Sequence, residues 1–189
     1  MRRAALIVVD VQRDFCEGGA LAAADTLSLL EPLRDNIEEA RRKGAVIVYT
    51  RDWHPENHSS FAAHGGPWPE HCVMTSRGAE FMAPLRTEAG DVVIDKGTAV
   101  AGPGYSGFED TGLAARLKAL GVDRVGVSGI ATEYCVRATA LDGVKEGFET
   151  SVLTDVIRAV KPEETGRVVR ELEAAGVKSA TAREWMAAL

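Results

Sequence analysis

Ala4 to Val9 (AALIVV) is an unbroken apolar run that stops at an aspartate. A run too short for a helix and without a polar face is the pattern of a strand buried on both sides. The same pattern returns in AVIVYT (Ala45–Thr50), VVID (Val92–Asp95), RVGVSG (Arg124–Gly129) and ETSVLTD (Glu149–Asp155), and VKSATA (Val177–Ala182) predicts a weak edge strand. Between these runs the spacing changes. Leu29, Leu30, Leu33, Ile37 and Ala40 recur at helical intervals across Thr26–Lys43, and Gly44 supplies the stop. Leu113–Leu120 ahead of Gly121, Cys135–Glu146 and Pro162–Ala175 predict three further helices. Strands alternating with helices predict an α/β fold, an open and mostly parallel sheet of about six strands with helices on both faces.

One segment does not fit the alternation. Residues 51 to about 89 are rich in Pro, Gly and His, and all four histidines (His54, His58, His64, His71) fall inside it. A loop of that length in a compact domain is usually functional. No repeat or low-complexity linker divides the chain, so we expect a single domain over 1–189 with a metal-binding insertion at about 51–89.

Composition narrows the function classes. The 189 residues are 46% hydrophobic and 26% charged, with a formal net charge of −6 and mixed signs along the chain. That balance argues against a nucleic-acid or anionic-membrane partner and leaves a small molecule as the expected ligand. The apolar run of MRRAALIVVD ends too early for a signal peptide, and no stretch reaches the length of a membrane span. Three cysteines (Cys16, Cys72, Cys135) are too few and too unevenly spaced for a disulfide framework, so a cytoplasmic location is expected. Monomer and homo-oligomer both remain open.

In open parallel sheets, ligands bind beyond the carboxyl ends of the strands. Asp10 follows the first predicted strand, Asp52 and His54 the second, Lys96 the third, and Cys135 comes shortly after the fourth at a predicted helix start. Alone, each has a bland reading: a capping aspartate, a solvated lysine, a small packed cysteine, a hydrogen-bonded loop. Their convergence on one sheet edge points to chemistry. A free thiol, with a pKa of about 8.5, is only a few per cent thiolate at neutral pH. A helix N-terminus and a nearby ammonium both lower that pKa, and a carboxylate can take the proton and later deliver it. Asp52 and His54 leave one face of an extended segment. With His71 they form a set suited to zinc, iron(II) or manganese(II).

The motifs DVQRDFCEGGAL, DWHPENHSSF, WPEHC, DKG, YSGF and SGIATEYCV, in this order, resemble the nicotinamidases (pyrazinamidases) of the isochorismatase-like cysteine hydrolases. The resemblance runs from Asp10 to about Asp155. It implies an isochorismatase-like three-layer fold and a catalytic triad of Asp10, Lys96 and Cys135. It assigns one divalent metal, zinc foremost, to Asp52, His54 and His71. His58 matches a histidine that ligates the metal in some members and supports the ligands in others. It also implies a cis peptide at Ile130–Ala131, with the backbone N–H groups of Ala131 and Cys135 forming an oxyanion hole. Phe15 and Trp68 match walls around a pyridine ring, with Leu21, Ile130 and Tyr134 nearby. Tyr105, Ser106 and Phe108 shape the site without joining the chemistry. GPG (Gly102–Gly104) lacks the helix and lysine of a phosphate loop.

The activity so implied is hydrolysis of nicotinamide to nicotinate and ammonia, and of pyrazinamide, within NAD recycling. Two alternatives stand beside it. One is a related hydrolase of a carbamoyl or ureido compound, whose family members usually lack the DWHPxxHxSF and WPxHC pair. The other is a noncatalytic binding module, which would have lost the Asp, Lys or Cys.

Overall fold

A computed structural model describes residues 3–102 and 104–189. Met1 and Arg2, inside the expected domain span, and Pro103 of the GPG motif lie outside the described residues. Six strands form one parallel sheet: β1 (Arg3–Val9), β2 (Val46–Asp52), β3 (Val92–Lys96), β4 (Val122–Ile130), β5 (Glu149–Arg158) and β6 (Lys178–Ala180), in the order β3-β2-β1-β4-β5-β6. Five α-helices join them: α1 (Leu27–Arg42), α2 (Leu113–Ala119), α3 (Arg137–Lys145), α4 (Thr165–Ala174) and α5 (Ala182–Ala187).

The unbroken apolar strands reflect a sheet covered on both faces. In β1, Ala4, Leu6 and Val8 pack into one core with Leu29, Leu33 and Ile37 of α1 and Trp185 of α5. The alternate residues Ala5, Ile7 and Val9 pack into the other with Leu113 and Leu117 of α2, Ala140 of α3 and Val168 and Leu172 of α4. In β1 every residue from Ala4 to Val9 therefore buries its side chain whichever way the pleat turns it.

Several boundaries differ from the sequence-based expectation, three of them for a reason that the residues show. Pro162–Glu164 forms a 3-10 turn, so α4 begins at Thr165; proline suits the tight first turn, where its missing N–H has no intrahelical acceptor. The expected strand Val177–Ala182 shrinks to Lys178–Ala180, and Thr181 caps α5 instead. Its hydroxyl accepts from the Glu184 N–H while the Glu184 carboxylate accepts from the Thr181 N–H. Cys135 does not open an α-helix. It lies inside a π-helical turn, Thr132–Val136, ahead of α3.

The chain order reverses between β1 and β4, the crevice where open α/β sheets bind ligands. Val9 pairs with Gly129 there. Gly129 has φ +107°, and a Cβ on it would overlap the Val9 backbone, so only glycine lets β4 close against β1 at this point. The following peptide, Ile130–Ala131, is cis. Between β2 and β3, residues 53–91 carry two 3-10 turns and isolated bridges, one of which pairs His54 with Val73. That bridge returns the WPEHC segment to the end of β2.

Candidate active site

Register brings the first group together. β2 and β3 are paired so that Asp52 lies opposite Lys96, and Asp10 follows the last β1 residue, which lies opposite Thr50. Lys96 Nζ lies 2.7 Å from Asp10 Oδ2 and 2.5 Å from Asp52 Oδ1, and it also reaches the Gly104 carbonyl at 3.1 Å and Cys135 Sγ at 3.4 Å. The Lys96 and Asp10 side chains are wholly buried, and Cys135 is nearly so. A cation enclosed this way is tolerable only because anions surround it. Burial works against the Lys96 ammonium, but Asp10 and Asp52 outweigh it and hold its pKa well above the usual lysine value.

The carboxylates are pushed apart. Burial raises the Asp10 pKa, against the pull of Lys96 and with a further push from Asp52. Burial also opposes the Asp52 charge, but Lys96 overcomes it and holds Asp52 below the ordinary carboxylate range. Asp52 stays ionised while Asp10 becomes the better proton acceptor. The Thr50 hydroxyl donates to Asp10 Oδ1 at 2.7 Å and fixes its orientation.

The Cys135 thiol corrects the sequence-based argument. Burial pushes its pKa well above the usual thiol value, and Lys96 offsets this only in part while Asp10 and Asp52 add to it. The expected lowering relied on a helix N-terminus and a nearby ammonium. Cys135 lies within the π turn rather than at the start of α3, and desolvation exceeds the lysine's effect. The resting site therefore keeps a thiol whose proton has Asp10 as its acceptor.

The second group is the histidine cluster. Donor atoms of Asp52, His54 and His71 lie within 4.8 Å of one another, all buried. Nδ1 of His54 faces the Gly97 carbonyl at 2.8 Å, and Nδ1 of His71 faces the Pro69 carbonyl at 2.7 Å. A carbonyl only accepts, so both Nδ1 atoms carry a proton, which leaves Nε2 of each ring as the atom that can coordinate. Those Nε2 atoms stand 3.3 and 3.9 Å from Asp52 Oδ2. Burial lowers the His71 pKa, which keeps that ring neutral. Lone pairs and a carboxylate facing one another in a dry site repel unless a cation sits among them. Two imidazoles and a carboxylate fit a divalent metal.

His58 stacks on His54, ring centroids 4.1 Å apart, and lies outside the donor triplet. Its Nδ1 meets the Ser60 hydroxyl at 2.6 Å, its Nε2 is buried without a hydrogen-bond partner, and burial lowers its pKa to about 4. His64 is exposed, and Cys16 and Cys72 are packed in the core of the α1 face.

The two groups open onto one pocket of about 430 Å³, its mouth included. Asp52, His71 and Cys135 supply its polar wall, and Phe15, Leu21, Trp68, Ile130, Ala131 and Tyr134 its apolar one. Every residue predicted for ring binding therefore lines it. Trp68 stands edge-on to Tyr134 with centroids 5.1 Å apart, and its indole N–H donates to the Tyr105 hydroxyl at 3.1 Å. Ala23 and Val160 also line it, as does Tyr105. Ala23 and Val160 carried no sequence signal, being ordinary small apolar residues in loops. Thr50 did carry one, since it shares a strand face with Asp52. A wider concavity under α1, lined by Arg34, Glu38, Arg41 and Glu88 among others, brings together neither the thiol nor the histidines.

The model of the isochorismatase domain matches residues 4–184. The chain belongs to the isochorismatase family. A nicotinamidase/pyrazinamidase of Mycobacterium tuberculosis is 41% identical over 182 residues, covering 92% of this chain and 96% of the relative. The crystal structure of the Pyrococcus horikoshii pyrazinamidase in complex with zinc is 48% identical, with a TM-score of 0.91 over 95% of this chain and 99% of that one. An L. infantum protein solved in complex with nicotinate is 38% identical, with a TM-score of 0.87 over 96% and 93%. Among the described residues, no helix of this family member is long and apolar enough to cross a membrane.

Proposed function

We propose that this chain is an amidohydrolase that converts nicotinamide and water to nicotinate and ammonia, and accepts pyrazinamide likewise. The observation that carries the reading is the enclosure of Lys96 by Asp10, Asp52 and Cys135 at the floor of an aromatic pocket that His71 also lines. One cluster therefore joins a thiol and a proton acceptor to a metal-type donor set, beside a slot for a flat ring.

In this reading Cys135 is the nucleophile. Asp10 takes the thiol proton as Sγ bonds to the carboxamide carbon, and Lys96 keeps the enclosed negative charge bearable. The oxyanion is met by the backbone N–H groups of Ala131 and Cys135. Asp10 then hands its proton to the departing nitrogen, the C–N bond breaks, and ammonia leaves a thioester on Cys135. Water, deprotonated by Asp10, attacks the thioester carbon, the C–S bond breaks, and Asp10 returns the proton to the departing Sγ, which leaves the carboxylic acid and the thiol. Phe15, Trp68 and Tyr134 hold the ring, with Leu21 and Ile130 at its edges. Asp52, His54 and His71 would hold a divalent ion, zinc by our reading, which would supply Lewis acidity toward the ring nitrogen.

The reading treats 1–189 as one catalytic unit with residues 51–89 as its metal-binding insertion. It places the enzyme in the cytoplasm, where unpaired thiols persist, and in NAD recycling. Ammonia release from nicotinamide by the purified protein is the test. We expect turnover that a strong chelator abolishes and zinc restores; no ammonia from the zinc-loaded protein refutes the proposal.

A further inference from the structure

The donor triplet hangs from the end of β2 and from a turn of the long insertion, and both depend on two side chains just after β1. The β1–β2 pairing ends at Val9 and Thr50, so the last β2 residues run past their neighbour. The Gln12 side chain takes the place of the missing strand at Asp52. Its Oε1 accepts from the Asp52 N–H at 2.8 Å, and its Nε2 donates to the Asp52 carbonyl at 2.8 Å. The second Nε2 proton goes to the Ala79 carbonyl of the insertion at 3.0 Å. Gln12 is wholly buried.

Asp14 does the same for the other arm. Its Oδ2 accepts from the N–H of Cys72, the residue after His71, at 2.8 Å. Cys72 has φ +47°, so the chain turns sharply there and needs an external hold. Gly78 lies so close to the Asp14 carboxylate that a Cβ on it would overlap the oxygens, so the carboxylate has its place only because residue 78 carries no side chain.

We infer that Gln12 and Asp14 are positioning residues for the metal donor set, Gln12 through the backbone of Asp52 and Asp14 through the turn that carries His71. The inference rests on reading Asp52, His54 and His71 as metal ligands. It gives residues 10–15 one logic: Asp10 handles the proton, Gln12 and Asp14 aim the metal ligands, and Phe15 walls the ring. Residues that orient ligands typically change metal affinity by about 10- to 100-fold when removed.

The test is the zinc dissociation constant, measured by competition with a chromophoric chelator, for wild type, Q12M, D14A, D14N and H54A. Circular dichroism of each metal-free variant reports its fold. Q12M and D14A are expected to weaken zinc about 10- to 100-fold, while D14N, which keeps an acceptor oxygen for the Cys72 N–H, stays within about threefold. H54A loses the site. Should Q12M fail to fold, the D14A and D14N pair decides. Wild-type affinity in every folded variant but H54A overturns the inference and leaves the metal reading standing. D14N as weak as D14A overturns the role given to Asp14. A wild type that binds no zinc, or an H54A that binds as wild type does, overturns the metal reading itself.

Discussion

Replacing Lys96 with methionine isolates what the buried cation does. Its ammonium is the counter-charge for Asp10 and Asp52, both buried and both within 2.7 Å of it. Removing one partner of a buried ion pair costs about 3–5 kcal/mol, because the remaining charge has neither water nor a partner. In a chain of this size each kcal/mol moves Tm by about 2–4 °C, so the variant should melt about 6–20 °C lower. Asp10 can relieve part of that by taking up a proton, which places the expectation near the lower end at neutral pH. The relief has a definite sign. A carboxyl with its folded pKa raised above the unfolded value adds stability at low pH that is lost as pH rises through the folded pKa. The deficit of Lys96→Met should therefore widen from acidic to alkaline buffer. Thermal unfolding in the presence of chelator measures it without interference from metal binding. Adding Asp10→Asn to Lys96→Met removes one stranded anion and should recover part of the lost stability, yet restore no ammonia release. A variant melting with wild type at alkaline pH, or a deficit that shrinks as pH rises, refutes the charge argument.

Further outcomes follow from the same geometry. Because burial raises Asp10, the acid limb of kcat/KM should lie above the ordinary aspartate value of 3.8; activity falls with pH as Asp10 becomes protonated, and a limb at or below that value removes Asp10 as the base. A Cβ at Gly97 would collide with the His54 ring, so Gly97→Ala should lower the bound zinc per chain, and full stoichiometry would contradict the placement of His54. If the donor set anchors a ring nitrogen, nicotinamide should exceed benzamide by at least about 10²-fold in kcat/KM, and His54→Ala should close most of that gap. Equal turnover of the two amides by zinc-loaded protein would give the histidines another purpose.

The apolar runs were legible because a strand buried on both faces leaves no polar alternation to misread. The sorting of Asp10, Asp52, Lys96 and Cys135 to one sheet edge followed from the strand pattern, since the first three sit where a strand ends and Cys135 lies in the turn that follows one. The thiol's resting state was not legible. Its raised pKa comes from burial under loops distant in sequence, and the π turn that displaces Cys135 from a helix start has no marker in TEYCV. Gln12 and Asp14 were hidden for a related reason. They act on the backbones of Asp52 and Cys72, 40 and 58 residues away, and spacing says nothing about contacts that depend on how the insertion folds back. Helix α5 was missed although Thr181 and Glu184 stand at capping-box spacing, because VKSATA also reads as an edge strand.

The central claim is that Cys135 bonds to the carbonyl carbon of a pyridine carboxamide held in the aromatic pocket. The aldehyde analogue of nicotinamide tests it without requiring an intermediate to accumulate, since a thiol adds to an aldehyde and no group can leave. NMR of that compound, isotope-labelled at the aldehyde carbon and mixed with the zinc-loaded protein, should show a tetrahedral thiohemiacetal resonance distinct from the free hydrate. Cys135→Ala should abolish that resonance while leaving zinc content unchanged. An aldehyde that inhibits ammonia release yet stays trigonal or hydrated on the wild-type protein, or an adduct that persists in Cys135→Ala, would contradict the account.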